Sequence, residues 1–457
     1  MLMTIVAIYT LFVLITMYTS VMQIGYVNQA KKGKAVLLSD SEFVKAGNYS
    51  VANEKISIVK SFVDYILFIE WLDLGIKFLE NSLYFEDEAI MNIAVVMGFL
   101  VINSIISLPF GYYEKFVLDE KFGFNKSSMG QWIKDTSISF VMTLIFGSLV
   151  VWGIYLIISS FTLWWLWSFV FIFAVVILIN MLYPAFRAMF FDKLTPLKDE
   201  NLDHEIKSLM DKTGFVSSGV FISDASKRDA RLNAYFGGFG KAKRVVLFDT
   251  LIEKLSTREL LAVLGHELGH FAHGDIYKNI ALVGAMLLAM FGIFGNLPDS
   301  LYSELGLPQA PYVVMILLML FMPVLGFLMM PIMGIVSRHN EYAADKMGSE
   351  LAGVGGEIEL ANALKKLVTE NKSFPLSHPL YIFFHYTHPP VVERLKALGM
   401  DVGEALRMAS RYPGNFLDEN NEFGTLMPGK QANFTQLITH QGRLQVQHSW
   451  INGQPYY

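Results

Sequence analysis

The sequence predicts a mainly α protein that crosses a membrane several times and carries one insertion with a small β-sheet. Three observations carry this expectation. Of 457 residues, 53% are hydrophobic and only 17% charged, with a mean hydropathy of +0.41, more apolar surface than a water-soluble core can hide. Seven apolar stretches are about long enough to span a hydrocarbon layer of roughly 30 Å as helices. Between the fifth and sixth lies a segment of globular patterning with short β-type runs.

The stretches run from Met3 to Ile24, Phe62 to Leu79, Ala89 to Phe110, Ser137 to Ile158, Leu163 to Phe186, Ile276 to Phe294 and Val313 to Val336. The first lacks a basic leader and a small-residue cleavage site, so it reads as a retained span. The second carries Asp64, Glu70, Asp73 and Lys77. Such charges are costly in lipid, so the acids are expected to face an internal, protein-lined or watery space.

Loop charges set the orientation. Lys31, Lys32, Lys34, Lys45, Lys55 and Lys60 follow the first stretch, Lys115, Lys121, Lys126 and Lys134 the third, and Arg187 and Lys193 the fifth. The alternate loops are acidic or neutral, with Glu80, Glu86, Asp87 and Glu88 after the second and Asp299 and Glu304 after the sixth. The positive-inside rule then puts the N-terminus outside and the basic loops in the cytoplasm.

Five regions follow. Residues 1–190 hold the first five spans and their loops, 191–275 a cytoplasmic insertion, 276–336 the last two spans, 337–400 a second cytoplasmic segment, and 401–457 a tail of different character. Val220-Phe221-Ile222 and Val245-Val246-Leu247-Phe248 are the insertion's strand candidates. The tail has turn signals at Gly414-Asn415, Pro428-Gly429 and Asn452-Gly453.

Composition narrows the chemistry. The net charge is -5 and basic residues form no stripe with interleaved aromatics, so no nucleic-acid partner is expected. With no cysteine, a metal has only histidine and carboxylate to hold it. His266-Glu267-Leu268-Gly269-His270 supplies both, in a proline-free stretch from Leu260 to His273 that reads as helix. Histidines four apart share a helical face and can bind one Zn2+, and Glu267 sits where it can take a proton from water.

A catalytic zinc needs a third protein ligand, and Glu341 is the best candidate. It lies just beyond the seventh stretch, four residues before Asp345, which suits the second imidazole N–H of a liganding histidine. The bland alternative is a solvated helix face paired with Arg338 or Lys346. One zinc per chain, held by His266, His270 and Glu341 with Glu267 as base, is the expected centre.

With Asn340-Glu341-Tyr342-Ala343-Ala344-Asp345 beside the H-E-x-x-H, the chain resembles the glutamate-zincin membrane peptidases. Further segments resemble the type I CAAX prenyl protease family: Leu108 to Lys126, Lys193 to Leu197, Ser226-Lys227-Arg228, Asn233-Ala234-Tyr235-Phe236, Val246 to Thr250, and His388-Pro389-Pro390 with Glu393-Arg394-Leu395. The likeness covers about residues 1–400. It implies a seven-helix barrel around a large intramembrane chamber, with a zincin-like catalytic domain at its cytoplasmic end.

The resemblance also implies site residues. His388 would stabilise the oxyanion, with Arg394 supporting its loop; a surface histidine in a proline turn is the alternative. Asn233, Ala234, Tyr235 and Phe236 would form a substrate-binding edge, against core packing for the two aromatics. The expected substrate is a peptide or protein ending in C-a-a-X, whose prenylated cysteine marks three residues for removal. In a bacterium, quality-control cleavage of misfolded or translocon-stalled membrane proteins is the enzymatic alternative. A transporter or scaffold with a chance H-E-x-x-H would bind no zinc.

From about Asp401 the likeness ends. Gly424 to Asn433 and Val446 to Tyr456 resemble C-terminal strands of amidohydrolases and are assigned no chemistry. The dilysine retrieval signal of the eukaryotic family is missing, so an integral, multi-pass position in a bacterial inner membrane is expected, or in the endoplasmic reticulum membrane if the chain is eukaryotic.

Overall fold

The structure, a computed structural model, describes residues 1–237, 244–399, 434–440, 443–451 and 454–455. They form two compact units, Met1–Val392 and Glu393–Tyr457. The first begins with α1 (Leu2–Ala30) and α2 (Asp40–Glu70), which runs through a π-helical turn, Trp71–Gly75, into α3 (Ile76–Ser82). Then come α4 (Glu88–Tyr113), a second π-helical turn, the short α5 (Glu120–Phe122), α6 (Met129–Ser160) and α7 (Trp164–Phe190).

Among the described residues, six helical segments are long and apolar enough to cross a membrane: Leu2–Ala30, Glu88–Phe122, Met129–Ser160, Trp164–Tyr183, Asp275–Phe294 and Pro311–Leu351. The stretch Phe62 to Leu79 is helical apart from its π turn but is absent from this set, as its four charges foreshadow. Leu11, Leu14, Leu149, Ile179 and Leu328 are 50% or more exposed along these helices, the pattern of side chains facing lipid. Inward, Tyr9, Phe68, Trp71, Val95, Leu287 and Leu317 form one buried cluster.

The insertion folds against the HExxH helix. It comprises β1 (Leu194–Pro196), α8 (Glu200–Lys212), β2 (Val220–Ser223), β3 (Ala234–Gly237), β4 (Arg244–Phe248), α9 (Asp249–Lys254) and α10 (Thr257–Ala272). Both expected strands form, as β2 and β4, and pair in parallel with Val220 opposite Val245. The sheet order is β1-β2-β4-β3, so β3 is an edge, antiparallel to β4 with Tyr235 opposite Val246. Arg231 fastens this layer to the second π-helical turn and to α2, reaching Asp119 at 2.6 Å and Tyr49 at 2.6 Å, while Arg228 bonds Asp135 on α6 at 2.9 Å.

Next follow α11 (Asp275–Phe294), α12 (Asp299–Leu305), α13 (Pro311–Leu351), α14 (Gly356–Glu370), α15 (Pro379–His385) and α16 (Val391–Ala397). The sequence suggested a span ending near Val336 and a separate cytoplasmic segment from 337. Instead α13 is one helix of 41 residues, because nothing after Gly334 breaks it. In the second unit, β5 (Phe434–His440), β6 (Arg443–Ile451) and β7 (Gln454–Pro455) form an antiparallel meander. The turn signals at 414–415, 428–429 and 452–453 and the segment 424–433 lie outside the described residues.

Small residues let α10 and α13 touch. A Cβ on Gly269 would lie 3.0 Å from Ala344 Cα, and one on Gly348 would lie 2.7 Å from His266 N and 2.9 Å from His266 Cα. Those neighbours are backbone and cannot swing aside. Gly348→Ala is therefore expected to cost about 1–3 kcal/mol, read as a lowered thermal midpoint in detergent. An unchanged midpoint would mean the helices separate at no cost.

Candidate metal centre

The sequence of α10 fixes which face meets α13. Ser256 caps the helix by accepting from Glu259 N–H, and the Glu259 carboxylate accepts from Ser256 N–H at 2.7 Å. Lys366 then holds that carboxylate at 2.7 Å. Leu260, Leu264 and Leu268, spaced at one helical turn, are buried in the insertion's core with Val245 and Leu247. Gly265, His266, Gly269 and His270 are left facing α13.

On α13, Glu341 and Asp345 share a face one turn apart, only 2% and 1% exposed. Glu341 Oε2 lies 3.6 Å from His266 Nε2, and Oε1 lies 3.2 Å from His270 Nε2. One ligand atom from each of these three residues lies within 4.8 Å of the others, the one such cluster among the described residues. Each imidazole is fixed from behind. Asp345 Oδ1 is 2.9 Å from His266 Nδ1, and Asp275 Oδ2 is 2.9 Å from His270 Nδ1.

With both Nδ1–H groups donated to carboxylates, both Nε2 lone pairs converge on Glu341. Two imidazoles and a buried carboxylate suit a divalent cation of the zinc type. The electrostatics agree. Burial alone would lower the His270 imidazole, but its hydrogen bonds to the Glu341 and Asp275 carboxylates outweigh that and raise its pKa to about 9. The pair of carboxylates thus strongly favours positive charge at this ring.

Glu267, between the two histidines, is partly exposed and makes no hydrogen bond or ion pair with any described residue. His388 Nε2 lies 3.2 Å from Glu341 Oε1 with its side chain 62% exposed, so this histidine is both at the surface and at the centre. Arg338, one turn before Glu341, holds the preceding segment by donating Nη1 to Tyr386 O at 2.6 Å. Gly334 leaves room for that bond, since a Cβ there would meet Tyr386 O at 2.7 Å. Arg394 belongs to α16, in the second unit.

Asn233 is exposed, and its Oδ1 accepts from Ala234 N–H at 2.8 Å. Ala234, Tyr235 and Phe236 lie on the edge strand, and the two rings pack on opposite faces of it: Tyr235 edge-on to Phe248, Phe236 edge-on to Phe215. Both side chains are partly buried against the insertion's core, while the strand's outer backbone edge has no partner strand among the described residues.

Residues 196–401 match Peptidase family M48, and residues 27–193 match the family described as CAAX prenyl protease N-terminal, five membrane helices. The CAAX prenyl protease 1 of Saccharomyces cerevisiae is 33% identical over 394 residues, covering 79% of this chain and 86% of its own length. The chain belongs to the M48 peptidases of the CAAX prenyl protease type. A human CAAX prenyl protease 1 homologue is 31% identical, over 68% of this chain and 74% of its own. The crystal structure of S. mikatae Ste24p superposes with a TM-score of 0.79 at 30% identity, covering 86% of this chain and 98% of that one. As an M48 peptidase, the protein is a membrane metalloprotease.

The sequence reading passed over Asp275 and considered Arg338 only as an ion-pair partner of a solvated face, whereas it donates to the Ile382 and Tyr386 carbonyls. Asp275 had a signal, an acid five residues past His270 behind Gly274, whose φ of +67° turns the chain back toward the ring. Asp275→Asn is expected to weaken metal binding about 10–100-fold, measured by competition against a chelator. Unchanged affinity would show that His270 needs no support at Nδ1.

Proposed function

We propose that the protein is a zinc endopeptidase that removes the C-terminal tripeptide from prenylated proteins. The observation that carries this is the convergence of His266, His270 and Glu341 within 4.8 Å, with each imidazole oriented by its own carboxylate. Zinc is favoured as the metal because the set offers nitrogen and oxygen donors and the chain has no thiol. Bound there, it would supply Lewis-acid polarisation of the scissile carbonyl and of the attacking water.

The chain's own residues do the rest. His266, His270 and Glu341 hold the metal, and Asp345 and Asp275 fix the two ring tautomers. Glu267 takes a proton from the attacking water and delivers it to the leaving amine. His388 donates to the developing oxyanion, and its nearness to Glu341 supports that role. Arg394 is assigned to supporting the His388 segment on family likeness. An extended substrate would pair along the open edge of β3, with the Asn233 amide N–H groups free to bond its backbone.

The site is proposed to face the cytoplasm, supported by the lysine-rich loops after α1 and α4, with Phe62 to Leu79 as a seventh crossing. A bacterial inner membrane is the proposed location, where quality-control cleavage would be the activity, and prenyl processing goes with the alternative, the endoplasmic reticulum of a eukaryote. The test sets a farnesylated C-a-a-X peptide beside an unprenylated unfolded one of equal length. At least a tenfold higher kcat/KM for the farnesylated peptide is expected. Equal turnover would replace prenyl specificity with quality-control proteolysis.

A further inference from the structure

The segment that brings His388 to the metal centre is pinned from the first membrane helix. It runs from Ser377 through α15 to Tyr386, two residues before His388. His388 is mostly exposed, and its ring meets Thr387 Oγ1 at 3.0 Å and Glu341 Oε1 at 3.2 Å. The backbone that carries it therefore decides where the ring stands.

Gln23, 2% exposed on α1, takes hold of the start of this segment. Its Oε1 accepts from the His378 N–H at 2.9 Å, and its Nε2 donates to Ser377 Oγ at 3.1 Å. A backbone N–H can only donate, so the first bond fixes which end of the amide faces Ser377. Ser377, itself buried, lies 2.5 Å from the Tyr386 hydroxyl, so through it the amide reaches the far end of the segment. There Arg338 holds the Tyr386 carbonyl from α13. Between the two ends, Tyr381 donates to Glu54 Oε1 on α2 at 2.6 Å, and His385 Nε2 lies 2.9 Å from Thr19 Oγ1 on α1.

We propose that Gln23 is a positioning residue, setting through Ser377 and Tyr386 where the segment that carries His388 lies over the metal centre. A buried amide on a membrane-crossing helix is costly unless it is bonded, and the cheapest bond is to its own helix. Thr10, Thr16, Asn103 and Ser104 do that, each donating to the carbonyl four residues earlier. Gln23 instead bonds residues 354 and 355 positions further along the chain, at both ends of its amide. Solvation of the side chain does not require that; placement of a distant segment does.

The effect on rate rests on the reading of His388 as oxyanion donor, whereas the hold on the segment does not. A donor misplaced by about 1 Å can cost about 100-fold in rate, because the charge it meets develops only in the transition state. Substrate pairing is assigned to β3, which Gln23 does not touch, so the loss falls on kcat and leaves KM nearly alone.

The test uses the full chain in detergent, a fluorogenic peptide and Gln23→Met, which keeps the side chain's length and loses both bonds. Expected are a kcat lower by about 10–100-fold, a KM within about twofold and wild-type metal content. Amide exchange over residues 380–386, read by mass spectrometry, should be at least about tenfold faster. In a His388→Ala background the same change should cost no further rate, as it must if Gln23 acts through that ring. Gln23→Glu can accept from both the His378 N–H and the Ser377 hydroxyl, and should restore exchange protection and most of the rate. Should Gln23→Met not fold, Ser377→Ala cuts the link to Tyr386 and is expected to move kcat and exchange in the same direction. Equal losses in the two backgrounds, unchanged exchange, or wild-type kcat in Gln23→Met where His388→Ala is slow would overturn the proposal. If His388→Ala cleaves at the wild-type rate while Gln23→Met still loses exchange protection, the oxyanion role of His388 falls and the hold of Gln23 on the segment stands.

Discussion

Glu267→Gln is expected to cut peptide cleavage by about 10²–10⁴-fold, the range that general acid–base catalysis supplies, while the protein keeps its metal. The two halves of this expectation come from separate features. Metal retention follows because Glu267 is not among the clustered ligand atoms, and its amide isostere leaves His266 and His270 on the same helical face. Loss of rate follows because an amide cannot accept the water proton. Glu267 is also the acid of the motif with no partner among the described residues, whereas Glu341, Asp345 and Asp275 are each committed to an imidazole. Steady-state kcat on a fluorogenic peptide, beside elemental analysis of the purified variant, reads both halves. Wild-type turnover in Glu267→Gln would remove it from the chemistry, and loss of metal would make it a structural residue.

Much of this centre is visible in the chain because helices impose short-range rules. Histidines four apart on one helix, and Glu341 four before Asp345 on another, fix two faces by periodicity alone. That the faces meet depends on Gly265, Gly269 and Gly348, whose missing side chains set the approach of α10 to α13. Glycine has many uses, so nothing in the sequence marks these three as a crossing point. Asp275 and Arg338 were hidden for a related reason. One acts across a helix end and the other on backbone carbonyls, and neither leaves a periodic trace. The strands followed from β-branched and aromatic runs, yet the edge position of β3 is a fact of sheet order, which pairing decides. Hydropathy likewise found the apolar spans but gave an ambiguous answer at Phe62 to Leu79, where Asp64 faces a cavity that a linear window cannot see.

Glu341→Ala should remove both metal and activity, with a larger loss of affinity than the about 10–100-fold expected when an orienting carboxylate is lost. Glu341 does three things that no neighbour duplicates. Its oxygens face both imidazoles, at 3.2 and 3.6 Å, so without it the remaining donors are two nitrogens on one helix. As the proposed third ligand it is the one contributed by α13, so a bound metal would link the membrane helix to the insertion through this side chain. It also lies 3.2 Å from His388, so its loss frees that ring as well. The fold should survive, because burying a carboxylate is costly and alanine removes that cost along with the ligand. Chelator competition, cleavage rate and thermal midpoint separate these effects. A variant that keeps metal and merely slows would show that the third ligand is another group, whereas one that fails to fold would make Glu341 a structural anchor. Glu341→Asp distinguishes further: its carboxylate sits one methylene short of the imidazoles, so partial metal binding with little activity is the expected result, and full activity would mean the distances in this centre are not what sets its rate.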